Sequence, residues 1–111
     1  MKKSPYRVVL VTASGRRQAD RLARMLVSEK LAACVNVVPK ISSRYRWRGK
    51  IETASESLLL IKTKAALLPR LTRRVQAIHS YTVPEIIALP ILEGNPDYLD
   101  WMDGAVSARR S

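Results

Sequence analysis

Two side chains of this 111-residue sequence could hold a soft metal ion, and each residue type occurs once: Cys34 and His79. A thiolate with an imidazole suits copper or zinc. Neither residue has a Cys-x-x-Cys or His-x-x-x-His partner, so one chain cannot supply a full ligand set from these types. A plainer reading stands beside this one: Cys34 as a small buried strand residue, and His79 as the C-terminal cap of a helix, a protonated ring facing the last carbonyls. Lys62, Tyr81 and Glu85 form a second group, polar residues at the ends of expected buried strands: Lys62 ends an apolar run, and Tyr81 and Glu85 flank Pro84. A cleft between subunits could use them for a ligand, or pair them as an interface salt bridge with the tyrosine hydroxyl satisfied nearby. A Cys/His dyad is formally available, but a helix and at least one strand separate its members. Nothing resembles a nucleophile elbow, a glycine-rich phosphate loop or a paired-carboxylate motif. The chain therefore reads as a binding protein and not as an enzyme.

Elements of regular structure must position these residues, and hydrophobic spacing shows where they fall. Tyr6 to Thr12 is a β-branched run suited to a buried strand, and Ser14 offers an N-cap to the helix that follows. Ala19, Leu22, Ala23, Leu26 and Val27 share one face of that helix, while Arg17, Arg21 and Arg24 point away. Ala33 to Trp47 is extended and interrupted at Pro39, with Tyr45 and Trp47 on one face and Arg44, Arg46 and Arg48 on the other. Arg48-Gly49-Lys50 supplies a turn. Ile51 to Lys62 returns, polar first and then Leu58-Leu59-Leu60-Ile61, so its second half should be the buried half. A second helix starts near Leu67-Leu68-Pro69, runs through Leu71, Val75 and Ile78, and ends at His79. Glu85 to Leu92 reads as a further buried strand, with Pro90 pointing to an edge. After Gly94-Asn95-Pro96, a short helix with Asp97 and Asp100 in its early turn carries Tyr98, Leu99, Trp101, Met102 and Val106.

This βαββαβ order with a C-terminal helix satisfies an α+β, ferredoxin-like sandwich. We expect a single domain over residues 1–111, with flexible tails at 1–5 and 107–111. The central hairpin is too long for it: about 15 extended residues span roughly 50 Å, against a radius of gyration of about 13 Å for such a domain. A projecting ribbon is marginal alone in water, so another subunit is its natural cover and the chain should be an obligate oligomer. Tyr45, Trp47 and Trp101 are the expected interface aromatics.

Charge adds a further possibility. Residues 1–74 hold 18 Lys/Arg against 4 Asp/Glu, whereas residues 75–108 hold 5 acidic residues and no basic one. Such a split can let one copy's basic face meet another's acidic end, or serve nucleic acid. Arg17, Arg21 and Arg24, then Arg70, Arg73 and Arg74, line two helices, and Arg44, Arg46 and Arg48 alternate with aromatics. That pattern could track phosphates and stack bases, although arginine-rich helix backs are more often solvated and no RNP sequence is present. Nucleic-acid binding is the alternative function. The single cysteine suits a reducing compartment, no apolar run reaches membrane-spanning length, and the N-terminal MKKSPYRVVLV lacks a signal-like cleavage site. A cytoplasmic location without membrane attachment is expected.

Five stretches carry a resemblance: Leu31 to Asn36, Tyr45 to Glu52, Ile61 to Thr63, Tyr81 to Pro90, and Gly94 to Trp101. In order and spacing they resemble the successive motifs of the CutA divalent-cation tolerance family, over about residues 7 to 103. The resemblance implies a ferredoxin-like subunit in a tight homotrimer similar to the nitrogen-regulatory signalling trimers. It also implies a role in tolerance of divalent metals, copper above all, with copper binding in some members and a proposed part in signalling. Where three copies meet, at an axis or a cleft, ligands absent from one copy could be assembled. No cofactor is required. The family commonly has Pro and Glu on either side of the tyrosine in its His-x-Tyr-x motif; here Ser80 and Thr82 stand there, so a carboxylate often present near the subunit cleft is missing.

Overall fold

Alternation builds the first strand. In β1 (Tyr6–Ala13) Val9, Val11 and Ala13 are fully buried on one face, while Tyr6, Val8 and Leu10 on the other are only half-buried. The computed structural model describes residues 3–106. The expected tails therefore fall partly outside the described residues, at Met1, Lys2 and 107–111. Within them, the Pro5 carbonyl accepts a hydrogen bond from the Ala65 amide at 2.7 Å.

The other strands are β2 (Cys34–Trp47), β3 (Lys50–Lys64) and β4 (Ile86–Pro90), and the helices are α1 (Arg16–Ser28), α2 (Leu68–Ile78) and α3 (Pro96–Ala105). The sheet order is β2-β3-β1-β4 with every neighbouring pair antiparallel, the ferredoxin-like arrangement expected from the element order. Leu22 and Leu26 of α1, Leu71 and Val75 of α2, and Leu59 and Ile61 of β3 are all fully buried in one core. The other sheet face has no such cover: Val38, Ile87 and Leu89 are exposed there, beside half-buried Leu10, Leu58 and Leu60.

β2 and β3 form the long hairpin, wet from Arg44 to Thr53 and dry at its base. Its register breaks between Val38 and Ile41, where Pro39 removes a donor and Lys40 adopts φ 59°, a β-bulge. Arg48 and Gly49 both take positive φ, 51° and 78°, as a two-residue hairpin turn of the primed kind requires. The radius of gyration is 14.6 Å and the longest dimension 43 Å, so the ribbon projects from the body.

Four local expectations need correction. Ser14 is not the N-cap of α1; Gly15 is, without a side-chain cap, and the Gln18 side chain reaches back towards the Ser14 amide at 3.5 Å. Val27 does not join the buried stripe but is 45% exposed, because it sits a further 100° round the helix from Leu26 in the final turn. The last strand is shorter than Glu85 to Leu92, and it is not a buried strand: Ile86 and Ala88 are half-buried against the core, while Ile87 is 50% and Leu89 48% exposed on the other face. His79 ends α2 with its backbone, donating its amide to the Val75 carbonyl at 2.9 Å, but its ring turns away from the helix.

The end of α1 supports a stability prediction. Leu31 N–H donates to Leu26 O at 2.9 Å and Lys30 N–H to Val27 O at 3.1 Å, a Schellman motif with Lys30 at φ 59°. A Cβ is disfavoured there, so Lys30→Gly should stabilise the fold by about 1 kcal/mol, read from the denaturant midpoint at fixed protein concentration.

Candidate functional site

The segment after α2 folds back over the end of the sheet because both nitrogens of His79 are engaged. The Tyr81 backbone N–H donates to Nδ1 at 3.0 Å, so Nδ1 is unprotonated and Nε2 carries the hydrogen given to the Thr12 carbonyl of β1 at 2.7 Å. The ring is 9% exposed. It positions Tyr81, whose ring lies 4.7 Å from it, and a metal ion bound at either nitrogen would have to displace one of these contacts.

Tyr81 thereby reaches β3, where its hydroxyl donates to Glu56 Oε2 at 2.6 Å. Glu56 is 7% exposed. Burial, and then the hydrogen bond to and charge of Glu56, hold the Tyr81 phenol well above its ordinary ionisation range. A cleft of about 950 Å³ opens beside this pair, lined by Thr12 and the ribbon residues Tyr45, Trp47 and Glu52, with Thr82 and Glu85 across from them. Tyr45 and Trp47 share a face with Glu52 and Glu56 through the register Ile41↔Glu56, Tyr45↔Glu52 and Trp47↔Lys50.

Of the second group, Tyr81 and Glu85 meet at this cleft and Lys62 does not. Lys62 lies six residues beyond Glu56 along β3, about 20 Å away at strand spacing. Its ammonium donates to the Asn36 side chain, and its strand partner is Cys34. Cys34 is a free, half-buried thiol, 3.9 Å from Asn36 Oδ1; burial, and then the nearby Cys34, raise the Tyr98 phenol on α3. Cys34 aligns with Val8 of β1 through Lys62, four residues from Thr12, so thiol and imidazole stand more than about 13 Å apart within one chain. Among the described residues, no three His, Cys, Asp or Glu side chains are close enough to hold a metal ion. Trp101 of α3 is 50% exposed, and its ring lies 5.4 Å from that of Tyr98 at a tilt of 41°.

Glu56 is the residue the sequence reading passed over. Only four acidic residues lie in 1–74, and Asp20 and Glu29 are taken up by Arg16 and Arg74 on the helices. The remaining two, Glu52 and Glu56, both line the cleft. The same signal that singled out Lys62, a charge at the boundary of Leu58-Leu59-Leu60-Ile61, applies to Glu56 at its other end.

Comparison with known proteins gives one answer. A family model described as the CutA1 divalent ion tolerance protein matches residues 7–105. The chain is 54% identical over 95 residues to the divalent-cation tolerance protein CutA of Thermus thermophilus, covering 86% of this chain and 92% of that one. It is also 54% identical over 98 residues to the chloroplastic protein CutA 1 of Oryza sativa, covering 88% of this chain but 55% of the longer rice protein. The crystal structure of CutA1 from Oryza sativa superposes with a TM-score of 0.93 at 50% identity, over 96% of this chain and 98% of that one.

Proposed function

The chain belongs to the CutA1 divalent ion tolerance family, and on that premise we propose that it works in divalent-metal tolerance or response as a homotrimer. Metal, copper foremost, or a small ligand binds in clefts between its subunits, and the protein signals that binding without catalysing a reaction. The observation that carries the reading is the uncovered sheet face: a monomer leaves Val38, Ile87 and Leu89 in water on one contiguous side. Apolar area removed from water stabilises association by about 25 cal/mol per Å², and the face opposite the helices is where another copy would provide it. The projecting ribbon, with Tyr45 and Trp47 at its cleft face, supports the same assembly.

In this reading a second copy closes the cleft at Tyr81, Glu85 and Glu56, and it can bring its own Lys62 towards a ligand held there. A metal ion takes Cys34 or His79 only in company with ligands from other copies, since one chain keeps the two apart. We place the protein in the cytoplasm, a reading supported by its one free thiol. No helix among the described residues is long and apolar enough to cross a membrane.

Copper titration of the reduced, metal-free protein tests the ligand assignment. Cys34→Ser should weaken binding at least about tenfold, the loss of one soft ligand. His79→Ala should weaken it less while lowering stability, because two hydrogen bonds of the 79–81 turn are lost. Unchanged affinity in both variants removes these residues from the metal site.

A further inference from the structure

The helical layer carries charge that the cleft does not use. α1 and α2 turn their apolar stripes inwards and leave Arg16, Arg17, Arg21, Arg24, Arg70 and Arg73 exposed. The two acidic residues of this layer are already committed: Asp20 lies 3.5 Å from Arg16, and Glu29 takes a two-pronged contact from Arg74 at 2.7 and 2.9 Å. Arg17, Arg21, Arg24 and Arg73 are left without a carboxylate partner among the described residues, and Arg70 acts on Glu29 through its charge without an ion-pair contact. Like charges three and four residues apart destabilise a helix. An uncompensated guanidinium cluster is therefore a feature that an anionic partner, and not folding, would maintain.

Three observations select the partner. Arginine is the side chain whose planar fork matches phosphate oxygens two at a time. On α1, Arg17, Arg21 and Arg24 stand at i, i+4 and i+7, one row about 10.5 Å long on a single helix face. The α2 arginines lie alongside, joined to α1 by the Arg74–Glu29 contact. A shallow groove of about 780 Å³ follows α1 past Arg17, Arg21 and Arg24. Finally, the exposed aromatics Tyr45, Trp47, Tyr98 and Trp101 all lie on β2 and α3, and Val27 is the one large exposed hydrophobic of α1 and α2. This face thus has no ring on which to stack an unpaired base and no apolar wedge to insert into lipid.

We propose that the α1–α2 face binds the phosphate backbone of double-stranded nucleic acid without reading its sequence. The surface is separate from the cleft, so it stands or falls independently of metal binding. Up to five phosphates are engaged per chain. Affinity for a duplex of about 30 base pairs, measured by fluorescence anisotropy from about 50 to 200 mM salt, should then fall with a log–log slope of about −4 to −5. Arg17→Gln/Arg21→Gln/Arg24→Gln keeps good helix formers, and circular dichroism should find it folded; its slope should drop to about −2 with at least about tenfold weaker binding at the lowest salt. Arg44→Gln/Arg46→Gln/Arg48→Gln, on the ribbon, should leave both values unchanged. Three results would overturn the proposal: no duplex binding at about 50 mM salt, a triple helix variant that binds as well as the unaltered chain, or capture by phosphatidylserine vesicles lost in that variant without any duplex binding.

Discussion

Leu89→Asp should leave a 12.5 kDa monomer in solution where the unaltered chain, as the proposed homotrimer, should sediment at three times that mass. Leu89 pairs with Val8 across the β4–β1 ladder, and Ile87 pairs with Leu10, so the side chains of these four residues make one apolar strip on the face away from the helices. Leu60 and Leu58 continue it on β3 through Leu10↔Leu60 and Thr12↔Leu58, and Val38 on β2 lies opposite Leu58. In the monomer an aspartate at position 89 stays in water and costs little, because Leu89 is already half exposed. In a trimer sealed over this face the same carboxylate is dehydrated in every copy. The penalty is several kcal/mol per ion, and each 1.4 kcal/mol is about a factor of ten in the association constant. The assembly should therefore come apart at micromolar concentration. Sedimentation of both proteins over a concentration series checks it, with circular dichroism to establish that the variant is folded. A folded Leu89→Asp protein that keeps threefold mass would move the subunit interface elsewhere.

The second large effect is expected at Tyr81→Phe. The ring remains, but Glu56, at 7% exposure, loses its hydroxyl donor. An unsatisfied buried carboxylate costs about 1–3 kcal/mol, equivalent to roughly 5–15 °C in the melting temperature of a domain this size. Alkaline pH offers an independent readout. The folded state raises the Tyr81 phenol above its ordinary value near 10, so the native state holds a proton that the unfolded chain releases first. The stabilisation is complete below about pH 10 and is lost as pH rises through the folded value. Ultraviolet titration of the native chain should contain a late phenolate step that Tyr81→Phe lacks, and the variant's stability should decline less steeply above about pH 10 than that of the native chain. Identical alkaline profiles for the two proteins would mean that the Tyr81–Glu56 contact does not persist in solution.

Most of the architecture was legible from periodicity. The stripe Ala19, Leu22 and Leu26, the Pro69 start of α2 and the long hairpin each follow from local spacing, which is a property of contiguous residues. Where the reading slipped, non-local contact decided the outcome. Ser14 has the chemistry of an N-cap, yet the chain direction out of β1 put Gly15 there instead. His79 was placed correctly at a helix end, but the partner of its ring is a carbonyl 67 residues away, and nothing near His79 in the sequence points to Thr12. Lys62 ends the apolar run Leu58-Leu59-Leu60-Ile61 and Tyr81 flanks Pro84, so both stand at the ends of expected strands. They are kept apart by direction: Lys62 closes β3 at one end of the sheet, while Tyr81 reaches Glu56 near the other. The pairing of Glu56 with Tyr81 could be seen only once β3 and the loop after α2 occupied the same end of the sheet.

The bulge at Pro39 and Lys40 sets the parity of the whole ribbon. Two residues of β2 are accommodated there against Ser57 alone on β3, so even-numbered Cys34, Asn36 and Val38 share a side with odd-numbered Ile41, Tyr45 and Trp47. Deleting Lys40 would restore simple counting and rotate the arm by half a turn. Arg44 and Arg46 would then face the cleft that Tyr45 and Trp47 now border, and the aromatic pair would look outwards. Within this lineage a one-residue length change at that point should therefore be harder to tolerate than many substitutions along the arm, because it inverts the chemistry of an entire surface while leaving every other element where it is.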